Sequence, residues 1–377
     1  MYPPNKIKTA NPQNPSLKAL KDAIPPTCFQ PSTTTSLAYL ARDITYATIF
    51  FYSTTFIDQL PTPTTRLLAW TAYGFLQGCI FVGLWILAHE CGHGAFSPHP
   101  WLNDTLGWTL HSTLLVPYFS WKITHARHHR YTNHMGKDTA FVPYTEAEHK
   151  ARFLATIELL DDTPVMNLTT LAGHQIFGWP TYLLASVTAG KQSYPRAAGR
   201  MSHFDPLSGL FTPSQRIYVW ISDVGLAAMG WVLVYLGRRI GLERVMLLYF
   251  MPYVWVNHWI VAITYLHHTH LSVPHYGPST WTYEKGALSA IDRTSGFFGR
   301  HFFHEIIDFH VIHHLFPKIT FYRAEEATRA VRPLLGLEYH ERKDESFMSA
   351  LLTTWRTCRF VSGGSDGAFH WGGGKMG

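Results

Sequence analysis

LLAWTAYGFLQGCIFVGLWILAHECGH, residues 67–93, decides how this chain folds. Residues 67–88 carry no charge and exceed the about 20 helical residues that a bilayer core requires. The five that follow, His89-Glu90-Cys91-Gly92-His93, are polar and place two histidines four positions apart. On a helix such residues share a face. The stretch therefore predicts a membrane-spanning helix whose far end presents a pair of imidazoles.

The same pattern returns near residues 245–266, VMLLYFMPYVWVNHWIVAITYL, which lead straight into His267-His268-Thr269-His270. Weaker apolar segments run from about 37 to 57 and from about 215 to 236, the latter with Asp223 inside it. Stretches near 102–118 and 168–189 are apolar but broken by Gly, Pro and His, and read as interfacial or re-entrant. Charged residues make up 15% of the chain and hydrophobic ones 46%, against about 25% charged in ordinary soluble domains. The fold class expected is all-α, an integral membrane protein with about four spanning helices and a cytosolic helical cap holding a histidine-rich site. Four crossings put the polar pieces before residue 36, from about 89 to 214 and after 267 on one side, cytosolic by the positive-inside tendency. The short connection with Arg238 and Arg239 runs against that tendency. Residues 1–35 lack the apolar core of a secretory signal, and LKDAIPPTCFQP reads as a short amphipathic helix ending before Pro25 and Pro26 or as a disordered tail.

The chain holds 23 histidines, and two further clusters repeat the helical spacing. These are His125, His128 and His129 in HARHH, and His310, His313 and His314 in HVIHH. An isolated i, i+4 pair is more often a surface or hydrogen-bonded pair than a ligand site. H-x-x-H-H occurring twice beside apolar segments, where an unpartnered imidazole is costly, points instead to metal. A structural zinc site needs only about four ligands. Eight box histidines imply two metals bound mainly by nitrogen. HECGH also fits H-E-x-x-H, the zinc metalloprotease pattern, but that reading leaves HARHH and HVIHH unexplained, and Gly92 and Gly94 weaken a continuous helical face. The other histidines, His174, His275, His304 and His370 among them, read as packing, hydrogen-bonded or surface residues.

Four scattered cysteines, Cys28, Cys79, Cys91 and Cys358, form no disulfide framework and suggest a reducing setting. The net charge of +6 comes with no basic helix or nucleic-acid motif, so attraction to anionic lipid is the simpler reading and no nucleic-acid partner is expected.

AHECGHGAF, VPYFSWKITHARHHRYTNHMGKDTAFVP, SHFDPLSGLF, VNHWIVAITYLHHTHLSVPHY and GALSAIDRTSGFFGRHFFHEIIDFHVIHHLFPKITFY carry a resemblance in order and spacing. From about Ile24 to Gly336 the chain resembles the membrane fatty acid desaturases, most nearly the plant and fungal Delta-12 (omega-6) oleate group. The resemblance implies a non-haem di-iron centre that uses O2 and two electrons to insert a cis double bond into a lipid-linked oleoyl-type chain. It assigns His89, His93, His125, His128, His129, His310, His313 and His314 as iron ligands, with His268 first and His270 second as candidates for a ninth, or either as a hydrogen-bonding residue behind the ligands. Glu90, Asp138 and Asp308 are candidates to orient imidazoles, with a solvated or structural carboxylate the alternative for each. It further implies electrons from cytochrome b5 and NADH-cytochrome b5 reductase, since neither tail carries a haem module. Multi-pass residence in the endoplasmic reticulum, with both termini cytosolic, follows as well. The domain reading is a cytosolic tail over 1–35, the desaturase domain over 36–336 and a cytosolic tail over 337–377. Omega-3 desaturase, acetylenase, conjugase and hydroxylase relatives share the boxes and are the alternatives. Two departures bear on specificity: His267 stands where the group's familiar pattern has glutamine, and Gly94 where plant members often place another histidine.

Overall fold

The computed structural model describes residues 15–152, 163–194 and 201–373. The outermost parts of both expected tails lie outside the described residues. Helix α1 (Leu17–Ala23) is capped by the Ser16 hydroxyl, which accepts from the Ala19 N–H, and ends before Pro25. Ser32 caps α2 (Thr33–Ser53) in the same way.

At the start of α3 (Pro63–His93), Thr62 and Thr65 exchange side-chain to backbone hydrogen bonds and Pro63 takes the first helical position. The helix runs for 31 residues, about 46 Å at 1.5 Å per residue, whereas a hydrocarbon core is about 30 Å thick. Gly94, left-handed at φ 70°, stops it directly after His93. A helix of this length reaches out of a bilayer with its histidines on the protruding turns.

Helices α4 (Pro100–Thr113), α5 (Tyr118–Arg130), α6 (Glu146–Arg152), α7 (Pro164–Ala185), α8 (Arg216–Ile240) and α9 (Leu242–His268) follow. Gly241 at φ 89° is the only residue between α8 and α9, so the chain reverses there at no Cβ cost. By length and composition α3, α8 and α9 are apolar enough to cross a membrane. α9 lies along α3, and two glycines set how closely. A Cβ at Gly74 would come within 2.5 Å of Met251 Sδ, and one at Gly78 within 2.5 Å of Trp255 Cβ. Trp255 packs edge-on to Phe75 and Trp259 against Phe303, both in packing roles. α8 instead turns Ile217, Trp220, Val224, Trp231 and Val234 outward, the expected face of a helix solvated by lipid. The segments expected to be interfacial or re-entrant form α4 and α7, with buried faces in the main core.

Beyond α9 come β1 (His275–Tyr276), α10 (Tyr283–Leu288), α11 (Phe297–His301), α12 (His310–Leu315), α13 (Ala324–Leu335), α14 (Phe347–Thr357), β2 (Cys358–Gly363) and β3 (Ala368–Gly373). α1, α12 and α13 share a second core through Leu20, Ile312, Leu315 and Val331. After Gly336 the chain folds back onto the body. Phe347 and Leu351 enter the main core, and β2 and β3 form a hairpin that pairs with β1 in the antiparallel order β1-β3-β2. This small sheet adds to the helical expectation. Its two-residue strand and glycine-rich hairpin carry almost no alternating apolar pattern, although Asp366-Gly367, with Gly367 at φ 75°, is a turn signal. The four cysteines are free thiols, all buried.

Candidate metal centre

Four elements bring the imidazoles together. α3 supplies His89 and His93 from its last turns, α5 supplies His125, His128 and His129, α9 supplies His268 at its end, and α12 supplies His310, His313 and His314. The ligand-type nitrogens of His89, His93, His125, His129 and His313 all lie within 4.8 Å of one another, and those of His128, His268 and His314 form a second such group. In the first group the Nε2 atoms approach at 3.2 Å (His89 to His93), 3.1 Å (His93 to His125), 3.0 Å (His125 to His129) and 3.2 Å (His129 to His313). His310 Nε2 is 3.4 Å from His268 Nε2 and 3.0 Å from His314 Nε2, which joins it to the second. The His129 and His314 rings stack at 4.3 Å where the groups meet.

The hydrogen bonds on the far side of the rings say which nitrogen faces inward. His128 Nδ1 donates to Asp138 Oδ1 at 2.7 Å, and the Asp138 carboxylate is fixed in turn by the Asn133 and Ala140 N–H groups at 2.9 Å each. His89 Nδ1 donates to Glu90 Oε1 at 3.0 Å. Thr132 gives its hydroxyl proton to the His128 carbonyl, so its oxygen accepts from His314 Nδ1 at 3.1 Å. With Nδ1 protonated, each Nε2 presents a lone pair to its neighbours. Lone pairs crowded at such distances repel unless a cation lies among them, and imidazole nitrogen suits transition metals. The donor set fits two metal ions.

Burial pushes the imidazoles of His125, His129, His310, His313 and His314 well below their ordinary pKa, and mutual repulsion among the rings adds to it. They stay neutral near pH 7, the ligand form.

Of the residues singled out from sequence, His270 falls outside both groups, its Nδ1 turned to the Ser272 hydroxyl at 2.7 Å. His267 stacks on His310 at 4.1 Å and bonds the Ile291 carbonyl through Nδ1 at 2.5 Å. It backs a box histidine without joining either group. Glu90 and Asp138 meet imidazoles as expected of orienting groups, whereas Asp308 faces Arg300 at 3.6 Å.

Two positioning residues escaped the sequence reading. Asp292 Oδ1 accepts from the Val311 N–H at 2.8 Å, at the positive start of α12. Arg293, almost wholly buried, donates from Nε to the Leu266 carbonyl at 3.0 Å, at the negative end of α9. One Asp-Arg dipeptide thus fastens the ends of two histidine-bearing helices. Its only signal was a pair of opposite charges in the apolar context of SAIDRTSG.

Beside the first group lies an apolar cavity of about 140 Å³, bounded by Trp85, Trp121, Trp179, Tyr182, Val261 and Tyr265. Trp121 stacks on His125 at 4.3 Å and the Trp85 ring is 5.8 Å from His89. These two tryptophans line the cavity and pack against the imidazoles.

A family model for fatty acid desaturases matches residues 66–345. The Delta(12) fatty acid desaturase of Mortierella alpina is 41% identical, over 94% of this chain and 90% of its own length. The omega-6 fatty acid desaturase, endoplasmic reticulum isozyme 1, of Glycine max is 41% identical over 93% and 88%. An oleate hydroxylase of Claviceps purpurea is 40% identical over 93% and 78%.

Proposed function

We propose, from the premise that this chain belongs to the fatty acid desaturase family, that it inserts a cis double bond into a lipid-linked oleoyl-type chain at the Delta-12 (omega-6) position. The observation that carries this reading is the convergence of nine imidazoles in two groups beside an apolar cavity. Two irons held by His89, His93, His125, His129 and His313, and by His128, His268, His310 and His314, would supply with O2 and two electrons the oxidising power to take two hydrogens from an unactivated methylene pair.

The chain's own residues do the positioning. Trp85 and Trp121 bring an acyl chain lying in the cavity up to the imidazoles, and the apolar wall keeps water from that side. Asp138, Glu90 and Thr132 hold the rings so that Nε2 points inward. Glu90, bonded to His89 Nδ1 behind the ring, is poorly placed to activate a metal-bound water on the Nε2 side, and three further histidines crowd His89 and His93. Both features disfavour the zinc protease reading.

We read α2, α3, α8 and α9 as four crossings, with the metal centre and both termini on the cytosolic face of the endoplasmic reticulum and cytochrome b5 with its NADH-dependent reductase as the electron source. In support, the Asp58–Arg244 pair ties the connection between α2 and α3 to the first turn of α9, at the end of these helices away from the histidines.

Expression in a host with a simple acyl pool, followed by double-bond localisation in total lipids and metal analysis, tests the proposal. A dienoic product that depends on O2, with two irons per chain, is expected. An iron-loaded, folded protein that yields no unsaturated, hydroxylated or acetylenic chain in the presence of its electron donor overturns it. The similarity to an oleate hydroxylase makes a hydroxylated chain the second reading, decided by the same lipid analysis.

A further inference from the structure

On the side of α3 away from the cavity, α2 and the turn after α11 reach across to each other. Gly83 lets them meet: a Cβ there would be 2.6 Å from the Phe302 carbonyl oxygen, 3.0 Å from Asp43 Oδ2 and 3.4 Å from His304 Nε2. Over that glycine His304 Nε2 donates to Asp43 Oδ2 at 2.8 Å, with both side chains almost completely buried. Asp43 Oδ1 accepts from Arg42 Nε and Nη2 at 2.9 and 2.8 Å, and Arg42 Nη2 also donates to the His301 carbonyl at 2.8 Å. His304 and Glu305 both sit at positive φ, 49° and 61°. Two successive non-glycine residues in that region persist only where the surroundings hold them.

With Nε2 donating to Asp43, His304 Nδ1 carries a lone pair. That nitrogen is buried and has no hydrogen-bond partner among the described residues, and the same is true of Glu90 Oε2. Glu90 and His304, together with His313, line one small cavity of about 10 Å³, close to the room a single water takes by that measure. A lone pair and a carboxylate oxygen are two acceptors, and one water has two protons to give.

We propose that a single ordered water binds in this cavity, donating to His304 Nδ1 and Glu90 Oε2. It completes a hydrogen-bonded chain from Arg42 and Asp43 through His304 and Glu90 to His89. His304 and Asp43 are then positioning residues: they fix the Glu90 carboxylate, which fixes the His89 ring with Nε2 turned to its metal. The inference rests on the metal reading above. Outer partners of metal-bound histidines typically contribute 10- to 100-fold in affinity, and this chain supplies one from a helix that bears no ligand.

The test uses the full chain in detergent or nanodiscs, with Fe(II) affinity read by chelator competition and the iron environment by Mössbauer spectroscopy. Asp43→Asn and His304→Phe should each weaken one of the two irons about 10- to 100-fold and change one of two spectral components. His304→Gln, whose amide can donate to Asp43 and accept from the water, should restore wild-type affinity and spectrum. Should His304→Phe not fold, Asp43→Asn against His304→Gln carries the same contrast. Folded Asp43→Asn or His304→Phe protein with unchanged affinity and spectrum overturns the proposal, as does His304→Gln behaving no better than His304→Phe. Two irons in the wild type with indistinguishable variants defeats this inference alone. A wild type that binds no metal defeats the reading beneath it as well.

Discussion

The two groups of imidazoles differ in openness. In the first, His93 and His125 are partly exposed; in the second, His128, His268, His310 and His314 are all buried, with Asp138 and Thr132 behind two of the rings. α5 and α12 serve both groups, and they do so in opposite senses. HARHH sends its i, i+4 pair, His125 and His129, to the first group and His128 to the second. HVIHH sends His310 and His314 to the second and His313 to the first. An H-x-x-H-H run on a helix therefore works as a bridge: the four-residue pair shares one face and the residue between looks aside. Two such helices set against each other divide six nitrogens between the two sites, and His89 and His93 of α3 with His268 of α9 complete the nine.

The sharpest way to break that comparison is to remove one ring from each side. His129→Ala and His313→Ala should each abolish desaturation and lose metal from the first group, whereas His314→Ala should lose it from the second. Metal analysis with product assay checks this, and two retained irons in any of the three would undo the division. A smaller effect comes from Asp138→Asn, which should weaken the second group's metal about 10- to 100-fold and leave the first group's affinity unchanged in a chelator titration. Filling the cavity beside the first group with Val261→Phe should lower turnover on the order of tenfold or more by displacing the acyl chain, with iron content intact. If the variant turns over normally, the cavity is not the acyl site.

Acid should separate the metal-free protein from the loaded one. The five cap imidazoles whose pKa is depressed stay neutral in the folded chain, while the unfolded chain takes up protons as pH falls through about 6.5. Below that value the unfolded state binds more protons, so stability of the metal-free form should fall with decreasing pH and be level above about pH 7. Thermal denaturation across that range measures it, and a rise in stability on acidification would contradict the burial of these rings. The smallest effect is expected at His370, an exposed β3 residue whose imidazole pairs with the equally exposed Asp366. His370→Ala should change stability by no more than about 0.5 kcal/mol and leave turnover intact.

How much of this was legible varied with the range of the interaction. HECGH, HARHH and HVIHH announce themselves through spacing, because helix periodicity is local. The apolar runs at 67–88 and 245–266 likewise fix helices without outside help. Asp43 and His304 meet across 261 positions, and nothing in either neighbourhood singles them out. The sequence ranked His268 ahead of His270 by resemblance alone, since no local spacing separates the two. The helix happens to end at His268, and the next turn swings His270 to Ser272.

The order of the residues alone determined that this chain makes long apolar helices carrying neutral nitrogen donors at three- and four-residue intervals, since propensity, hydrophobic length and helical pitch are properties of neighbours. Only the tertiary structure decided which donors share a group, which carboxylates stand behind them and where the apolar cavity opens. Those are matters of contact between segments far apart in the chain, set by packing at glycines such as Gly78 and Gly83.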